Sequence, residues 1–99
     1  MYRKRGITPD PEYYRVIDKI SPLYPEEWTY GVKYDGDKYE EDELFGPVLN
    51  AVSLCGGGPM FDIRQWTLDD KKCGSSGVTL TGEQMDILVE AYLKYKENK

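Results

Sequence analysis

The chain has 99 residues, with 13 Lys and Arg against 18 Asp and Glu, and its formal charge at pH 7 is −5. This length allows one domain with one modest core, so self-association is an expected extra source of stability. The net negative charge argues against tight binding to phosphate backbones, although it leaves room for a local basic groove.

The residue types that build catalytic and metal centres are scarce. There is no histidine, and the two cysteines, Cys55 and Cys73, lie 18 positions apart without a CxxC motif. This argues against a zinc site and favours free thiols, with a disulfide left open. The sequence contains no phosphate loop and no nucleophile motif, so we expect neither an enzyme nor a cofactor.

The sequence also lacks the marks of a membrane protein. No apolar run approaches the roughly 18 residues that a spanning helix needs, and no apolar segment follows the basic residues at the start. We therefore expect a cytoplasmic protein that does not contact a membrane.

Residues 1–25 are expected to form an N-terminal arm that contains a short helix. Four apolar side chains within it have helical spacing: Tyr13, Val16, Ile17 and Ile20. Asp10 before Pro11 suits the start of such a helix, and Ser21-Pro22 suits its end. The pattern predicts a helix over residues 11–20.

Residues 26–99 are expected to form a domain of four strands and a helix. Trp28, Tyr30, Val32 and Tyr34 alternate before an Asp35-Gly36 turn, which predicts a first strand whose aromatic face either stacks on bases or, more often, packs on a core. Further strands are expected over residues 47–54, over "MFDIRQW" and over "GVTL". In "MFDIRQW", Phe61 and Ile63 are expected to face the core and Asp62, Arg64 and Trp66 to face outward.

A C-terminal helix gives the clearest local signal. Thr81 and Gln84 have capping-box spacing, and a helical pattern continues to about Lys96. Its apolar side chains form two rows, Met85, Leu88, Val89 and Tyr92 in one and Ile87, Ala91 and Tyr95 in the other. This apolar arc is wider than one small sheet needs, which predicts a partner helix.

The order of "FDIRQW", a polar turn, "GVTLTGEQMDIL" and an amphipathic helix resembles the positive cofactor 4 family of transcriptional coactivators, most closely its short bacterial and phage-type members. The resemblance covers about residues 48–93. It implies an α+β homodimer in which each chain gives a curved four-stranded antiparallel sheet and a C-terminal helix. The helices lie at the dimer interface, and single-stranded nucleic acid lies across the exposed sheet faces.

The resemblance assigns nucleic-acid contacts to four residues. Arg64 would contact a phosphate or base, Trp66 would stack on a base, and Lys71 and Lys72 would lie in the basic turn. This turn is less basic than the family pattern, because "CGSSG" precedes the last strand. Alternatively, Trp66 packs under the N-terminal arm and Arg64 pairs with Asp62 or with Asp69.

Two functions follow from these residues. One is sequence-nonspecific binding of single-stranded DNA, or RNA, by a homodimer acting in transcription, replication or recombination. The other is a protein-interaction module that keeps the dimeric fold without the groove and binds a protein partner through its acidic, tyrosine-rich N-terminal half. Joint exposure of Arg64, Trp66, Lys71 and Lys72 favours the first function, and their burial under the arm favours the second.

Overall fold

The computed structural model describes residues 5–30 and 42–98, which contain one sheet and one α-helix. The strands are β1 (Tyr14–Pro22), β2 (Gly46–Leu54), β3 (Pro59–Trp66) and β4 (Cys73–Leu80), and the helix is α1 (Gly82–Glu97). The strands form an antiparallel sheet in the order β1-β2-β3-β4. An α+β fold with a four-stranded antiparallel sheet and a C-terminal helix is thus confirmed, whereas the homodimer remains a prediction.

The predicted helix over residues 11–20 is wrong, because most of that segment forms β1. The Asp10 carbonyl accepts hydrogen bonds from the backbone N–H groups of Tyr13 and Tyr14 at 3.0 and 2.8 Å, so the chain turns once and then extends. From Tyr14 onward the backbone pairs with β2. Pro22 is tolerated at the end of this strand because the strand lies at an edge of the sheet.

Two irregularities in β1 explain why its sequence lacks the alternation of a regular strand. The register with β2 shifts between Val16 and Asp18 and again between Lys19 and Ser21. Each shift adds one unpaired residue and breaks the period of two that marks a regular strand. Residues 14, 16, 19 and 22 therefore pair with alternate residues of β2, and Ile17 and Ile20 of the predicted helical pattern are the two residues left out of the pairing.

The first strand predicted in the sequence is also misplaced. Trp28 and Thr29 belong to a short 3₁₀ helix, Glu26–Thr29, and residues 31–41 lie outside the described part of the chain. The predicted turn at Asp35-Gly36 falls in that undescribed segment. The segment between Pro25 and Tyr30 therefore turns where the alternating aromatic pattern predicts an extended chain.

The later strands confirm the sequence analysis, with one change of boundary. β2 and β3 lie where alternating apolar residues predict them, and Cys55 and Gly56 adopt positive φ angles of 52° and 76° in the turn between them. β4 begins at Cys73, several residues before the predicted "GVTL". Backbone pairing of Cys73 with both Trp66 and Ile7 accounts for the early start.

The face of the sheet that is buried in the described chain is the reverse of the predicted one. Val48 and Val52 of β2 are 1 and 0 % exposed, and register places Arg64 opposite Val48 and Met60 opposite Val52. We call this side the core face; its members are Tyr14, Val48, Asn50, Val52, Asp62, Arg64 and Trp66. The opposite face carries Leu49, Ala51, Phe61, Ile63, Val78 and Leu80, which are half-buried or exposed.

The C-terminal helix begins as predicted. The Thr81 hydroxyl accepts a hydrogen bond from the Gln84 backbone at 3.1 Å, and the Gln84 side chain accepts one from the Thr81 backbone at 2.9 Å, which completes the capping box. The start of α1 packs near Phe61, which lies 3.7 Å from the Cβ position of Gly82. Within the described ranges, no helix is long and apolar enough to cross a membrane.

Candidate functional site

The core face has a charged residue, Asp62, at its centre. Its side chain is fully buried and accepts hydrogen bonds from three neighbouring residues. The Tyr14 and Thr79 hydroxyls donate at 2.7 and 2.9 Å, and Arg64 donates from Nε at 2.6 Å and from Nη2 at 3.0 Å. A carboxylate taken out of water needs this full set of donors. The arrangement therefore joins β1, β3 and β4 through one anion.

The Arg64 guanidinium makes its contacts inside the protein. Its side chain is 15 % exposed, and besides the paired bonds to Asp62 its Nη1 donates to the Gly74 carbonyl at 3.3 Å. The guanidinium carbon lies 4.6 Å from the centroid of the Tyr14 ring, within cation–π distance. The hydrogen bond to Asp62 is the main cause that raises the pKa of Arg64 further. Acceptors within the protein therefore already bind the guanidinium N–H groups that the predicted phosphate contact would use.

Gly77 of β4 provides the space in which the Arg64 side chain lies. A Cβ on Gly77 would stand 2.8 Å from Arg64 Cβ and 2.9 Å from the Ile63 carbonyl, so both a side chain and the backbone would have to move. We expect Gly77→Ala to destabilise the fold by about 1–3 kcal/mol, as measured by urea unfolding. Gly58→Ala, at a position where a Cβ meets nothing within 4 Å, is the matched control. Equal stability of the two variants would contradict the contact.

Trp66 lies beside this ionic cluster and is buried. It is 3 % exposed, and its ring centroid is 6.2 Å from that of Tyr14 at an interplanar angle of 40°. With the Asn50 amide in the orientation that its neighbours require, Asn50 Oδ1 accepts a hydrogen bond from Trp66 Nε1 at 3.2 Å. A cavity of about 90 Å³, lined by Val16, Lys19, Asn50, Trp66 and Asp70, adjoins the indole. The predicted outward orientation of Trp66 is wrong, because β1 covers it.

Tyr14 makes the stability of this cluster depend on pH. Burial, and then the hydrogen bond to Asp62, raise the pKa of Tyr14 above its ordinary value of 10.0. Because the folded state favours the neutral phenol, its contribution is fully present below about pH 10 and is lost as the pH rises further, by up to about 1.4 kcal/mol per unit.

We expect Tyr14→Phe to lower the free energy of unfolding by about 1.5–3 kcal/mol at pH 7, since a hydrogen bond to a charged group is lost. The deficit relative to the native chain should shrink above pH 10. Urea unfolding at a series of pH values measures this. Tyr13→Phe is the control, because Tyr13 is 62 % exposed. A deficit that stays constant with pH would show that Tyr14 does not ionise in this way.

The predicted basic turn lies between β3 and β4 and is held by its own side chains. Asp69 Oδ1 accepts hydrogen bonds from the Thr67 hydroxyl at 2.6 Å and the Lys71 backbone at 3.1 Å, and these bonds lower the pKa of Asp69. Lys71 is exposed and Lys72 is half-buried. An ion pair between Lys19 and Asp70 ties β1 to the same turn.

The structure therefore brings two of the four predicted nucleic-acid contacts together in an unexpected setting. Arg64 and Trp66 share the core face but are largely enclosed, while Lys71 and Lys72 lie in the adjoining turn. Sequence reasoning missed Tyr14, whose strand has no regular alternation. The spacing of Asp62 and Arg64 did indicate that the two side chains can pair, because residues two apart in a strand share a face.

The remaining reactive groups do not form a second centre. Both cysteines are free, and burial raises the pKa of the Cys73 thiol. Cys55 follows the end of β2, whereas Cys73 pairs with Trp66 opposite the start of β2, so the thiols lie at opposite ends of the sheet. Among the residues that the structure describes, no group of three or more His, Cys, Asp or Glu side chains is placed to hold a metal ion.

Comparisons with known proteins add no identification to this geometry. The resemblance to the positive cofactor 4 family rests on the residues quoted above and remains a prediction. No protein-family model matches the chain, and no match was found among curated proteins or among solved structures.

Proposed function

We propose that the protein is a self-associating protein-interaction module in which two copies pair through α1. The observation that carries this proposal is the exposure of the helix: over its whole described length, α1 contains no buried residue. A helix of this kind has little reason to form on its own, because most helical stability in proteins comes from packing an apolar face.

The apolar side chains of α1 are open to solvent in the single chain. Six of them are between 47 and 60 % exposed: Ile87, Leu88, Val89, Tyr92, Leu93 and Tyr95. The helix has 16 residues, about 24 Å of length, and none of them is buried; its first residue, Gly82, lies near Phe61 of the sheet. A second copy of the same helix supplies an apolar surface of equal length, which is the simplest way to cover it.

The opposite face of the sheet adds to the uncovered apolar surface. Val78 is 55 % exposed there, and Phe61 and Ile63 are half-buried. This apolar surface supports the pairing with a second copy that we propose.

A charge placed on the apolar side of α1 is expected to separate the two copies. Leu88→Glu puts a carboxylate among Met85, Val89 and Tyr92, and we expect the dimer to dissociate at least about tenfold more readily. Lys94→Gln changes the net charge by the same amount on the polar side of α1 and should leave the dimer intact. Sedimentation velocity over a dilution series measures both. A monomeric native chain, or equal behaviour of the variants, would refute pairing through α1.

A protein partner is favoured because the core face is closed. A nucleic acid would need Trp66 for stacking and the Arg64 guanidinium for a phosphate or base. Tyr14 packs against both side chains, and Arg64 already pairs with Asp62. The acidic composition of the chain also repels phosphate backbones. In this proposal, Arg64 and Trp66 of β3, which resemble the nucleic-acid contacts of the coactivators, belong to the core instead.

A second candidate function, binding of single-stranded DNA or RNA, is favoured by the irregular pairing and the small buried area of β1. Tyr14 is the sole buried residue in this nine-residue strand, and the pairing with β2 is broken twice. The Lys19–Asp70 ion pair that also holds β1 is exposed, and such pairs contribute about 0–1 kcal/mol. Release of Tyr14 would uncover Arg64 and Trp66 together.

This second candidate predicts that Tyr14→Ala binds a labelled thymidine oligonucleotide more tightly than the native chain does. Fluorescence anisotropy at low salt measures the affinity, and Tyr13→Ala is the control at the neighbouring exposed position. Equal, negligible binding by both variants would exclude a nucleic-acid surface beneath β1.

A further inference from the structure

A second aromatic cluster lies at the edge of the core face, at the start of β2. We call it the aromatic ledge; it consists of Tyr24, Trp28 and Phe45. The Trp28 ring stacks on Tyr24 with centroids 6.3 Å apart and an angle of 10°, and Tyr24 meets Phe45 edge-on at 5.1 Å and 75°. A Cβ on Gly46 would stand 2.9 Å from Tyr24, so the tyrosine packs closely on the strand.

Backbone hydrogen bonds hold the ledge in place. The Leu23 N–H donates to the Pro47 carbonyl at 2.9 Å, which ties the ledge to β2. In the 3₁₀ helix, the Trp28 N–H donates to the Pro25 carbonyl at 3.1 Å, and the Thr29 hydroxyl donates to the Glu26 carbonyl at 2.7 Å. Thr29 is 5 % exposed. The ledge is thus organised before any partner arrives, which reduces the cost of binding.

Trp28 nevertheless leaves most of its surface in water. It is 63 % exposed, whereas Trp66 is 3 % exposed. Leu23 and Tyr30, on either side along the chain, are each 46 % exposed. An exposed indole flanked by further exposed apolar side chains is typical of an interaction surface, since tryptophan and tyrosine are enriched at such surfaces.

The charges beside the ledge select the partner. Glu26 and Glu27 directly precede Trp28 and are exposed. Carboxylates within two residues of an exposed indole disfavour phosphate and favour a cation, and a guanidinium can use both groups because it stacks on an indole and pairs with a carboxylate. The ledge is therefore suited to arginine rather than to a nucleic-acid base.

We propose that the aromatic ledge docks an arginine side chain presented by an extended segment of a partner protein, with Trp28 as the stacking surface and Glu26 and Glu27 as the counter-charges. This inference rests on the proposed function, because it names the chemistry of the partner for the same interaction module. The ledge and α1 are separate surfaces, so their roles are tested separately.

The test uses a fluorescein-labelled peptide of alternating glycine and arginine, and a matched peptide in which neutral citrulline replaces arginine. Anisotropy titrations with the full chain are expected to give binding of the arginine peptide alone. Trp28→Ala should weaken it about threefold to fivefold, and Glu27→Gln about twofold. Glu90→Gln, which removes one charge from the polar side of α1, should leave it unchanged.

Three results would overturn the inference: equal binding of the citrulline peptide, an unchanged affinity in Trp28→Ala, or an equal loss in Glu90→Gln, which would indicate general attraction to an acidic protein. Quenching of Trp28 by a thymidine oligonucleotide would overturn it as well. Sedimentation of the same samples shows whether the dimer is present. A native chain that is monomeric contradicts the proposed function, whereas a dimer without peptide binding contradicts the ledge alone.

Discussion

Asp62→Ala is expected to lower the free energy of unfolding by about 3–5 kcal/mol, because it leaves the Arg64 guanidinium enclosed without its counter-charge. Tyr14 and Thr79 lose their acceptor in the same step. For a domain of this size the loss corresponds to a fall in Tm of at least about 12 °C. Thermal unfolding followed by circular dichroism measures it, at one fixed protein concentration because the proposed dimer would make Tm depend on concentration.

Asp18→Ala is the matched control for this experiment. It removes the same charge from an exposed position in β1 and is expected to change stability by no more than about 0.5 kcal/mol. A double variant, Asp62→Ala with Arg64→Met, should recover part of the loss, because it removes the unpaired cation. A native Tm in Asp62→Ala would mean that the ionic cluster does not hold the strands together.

The two tryptophans are expected to respond oppositely to truncation. Trp66→Ala should cost about 3–5 kcal/mol, since it opens a cavity in the core face and removes the contact with Tyr14. Trp28→Ala should cost no more than about 1.5 kcal/mol, because it loses one stacking contact at an exposed position. Urea unfolding of both variants under identical conditions gives the comparison.

Tryptophan fluorescence provides an independent readout of the same difference. A neutral quencher in the solvent should reach the exposed Trp28 but not the buried Trp66. The emission of Trp28→Phe, which retains Trp66, should therefore resist quenching, whereas the emission of Trp66→Phe, which retains Trp28, should be quenched. Equal stability losses in the two alanine variants, or equal quenching of the two phenylalanine variants, would contradict the burial of Trp66.

The part of the fold that the sequence predicts correctly depends on local signals. β2 and β3 alternate regularly on either side of a glycine-rich turn, and α1 opens on a capping box whose two hydrogen bonds form as expected. The residues that decide these elements lie within a few positions of one another. Sequence patterns predict an element reliably where residues close in sequence determine its conformation.

β1 and the direction of the core face depend on distant residues instead. Two register shifts remove the alternation from β1, and its place in the sheet is fixed by pairing with β2 across more than twenty intervening residues. The sequence places Asp62, Arg64 and Trp66 on one side of β3, as they lie in the structure, but charged residues on a strand ordinarily face water. Their burial depends on the hydroxyls of Tyr14 and Thr79, which only the folded chain brings together.

These features give the "DIRQW" strand a structural role in this protein. Arg64 and Trp66, which suit a nucleic-acid surface, instead make contacts within the protein. Arg64 contacts Asp62 and Tyr14, and Trp66 donates a hydrogen bond to Asn50. The surfaces that stay open are the apolar side of α1, the opposite face of the sheet and the aromatic ledge. These surfaces support the proposed interaction module.

The closed core face is tested most directly by titrating a fluorescein-labelled thymidine oligonucleotide with the native protein at low and moderate salt, alongside a variant with Lys71→Gln and Lys72→Gln. We expect no saturable rise in anisotropy at either salt concentration, with the native chain and the variant alike. Saturable binding that weakens with salt and in the lysine variant would contradict it, and would show that β1 opens readily enough for Arg64 and Trp66 to meet a nucleic acid.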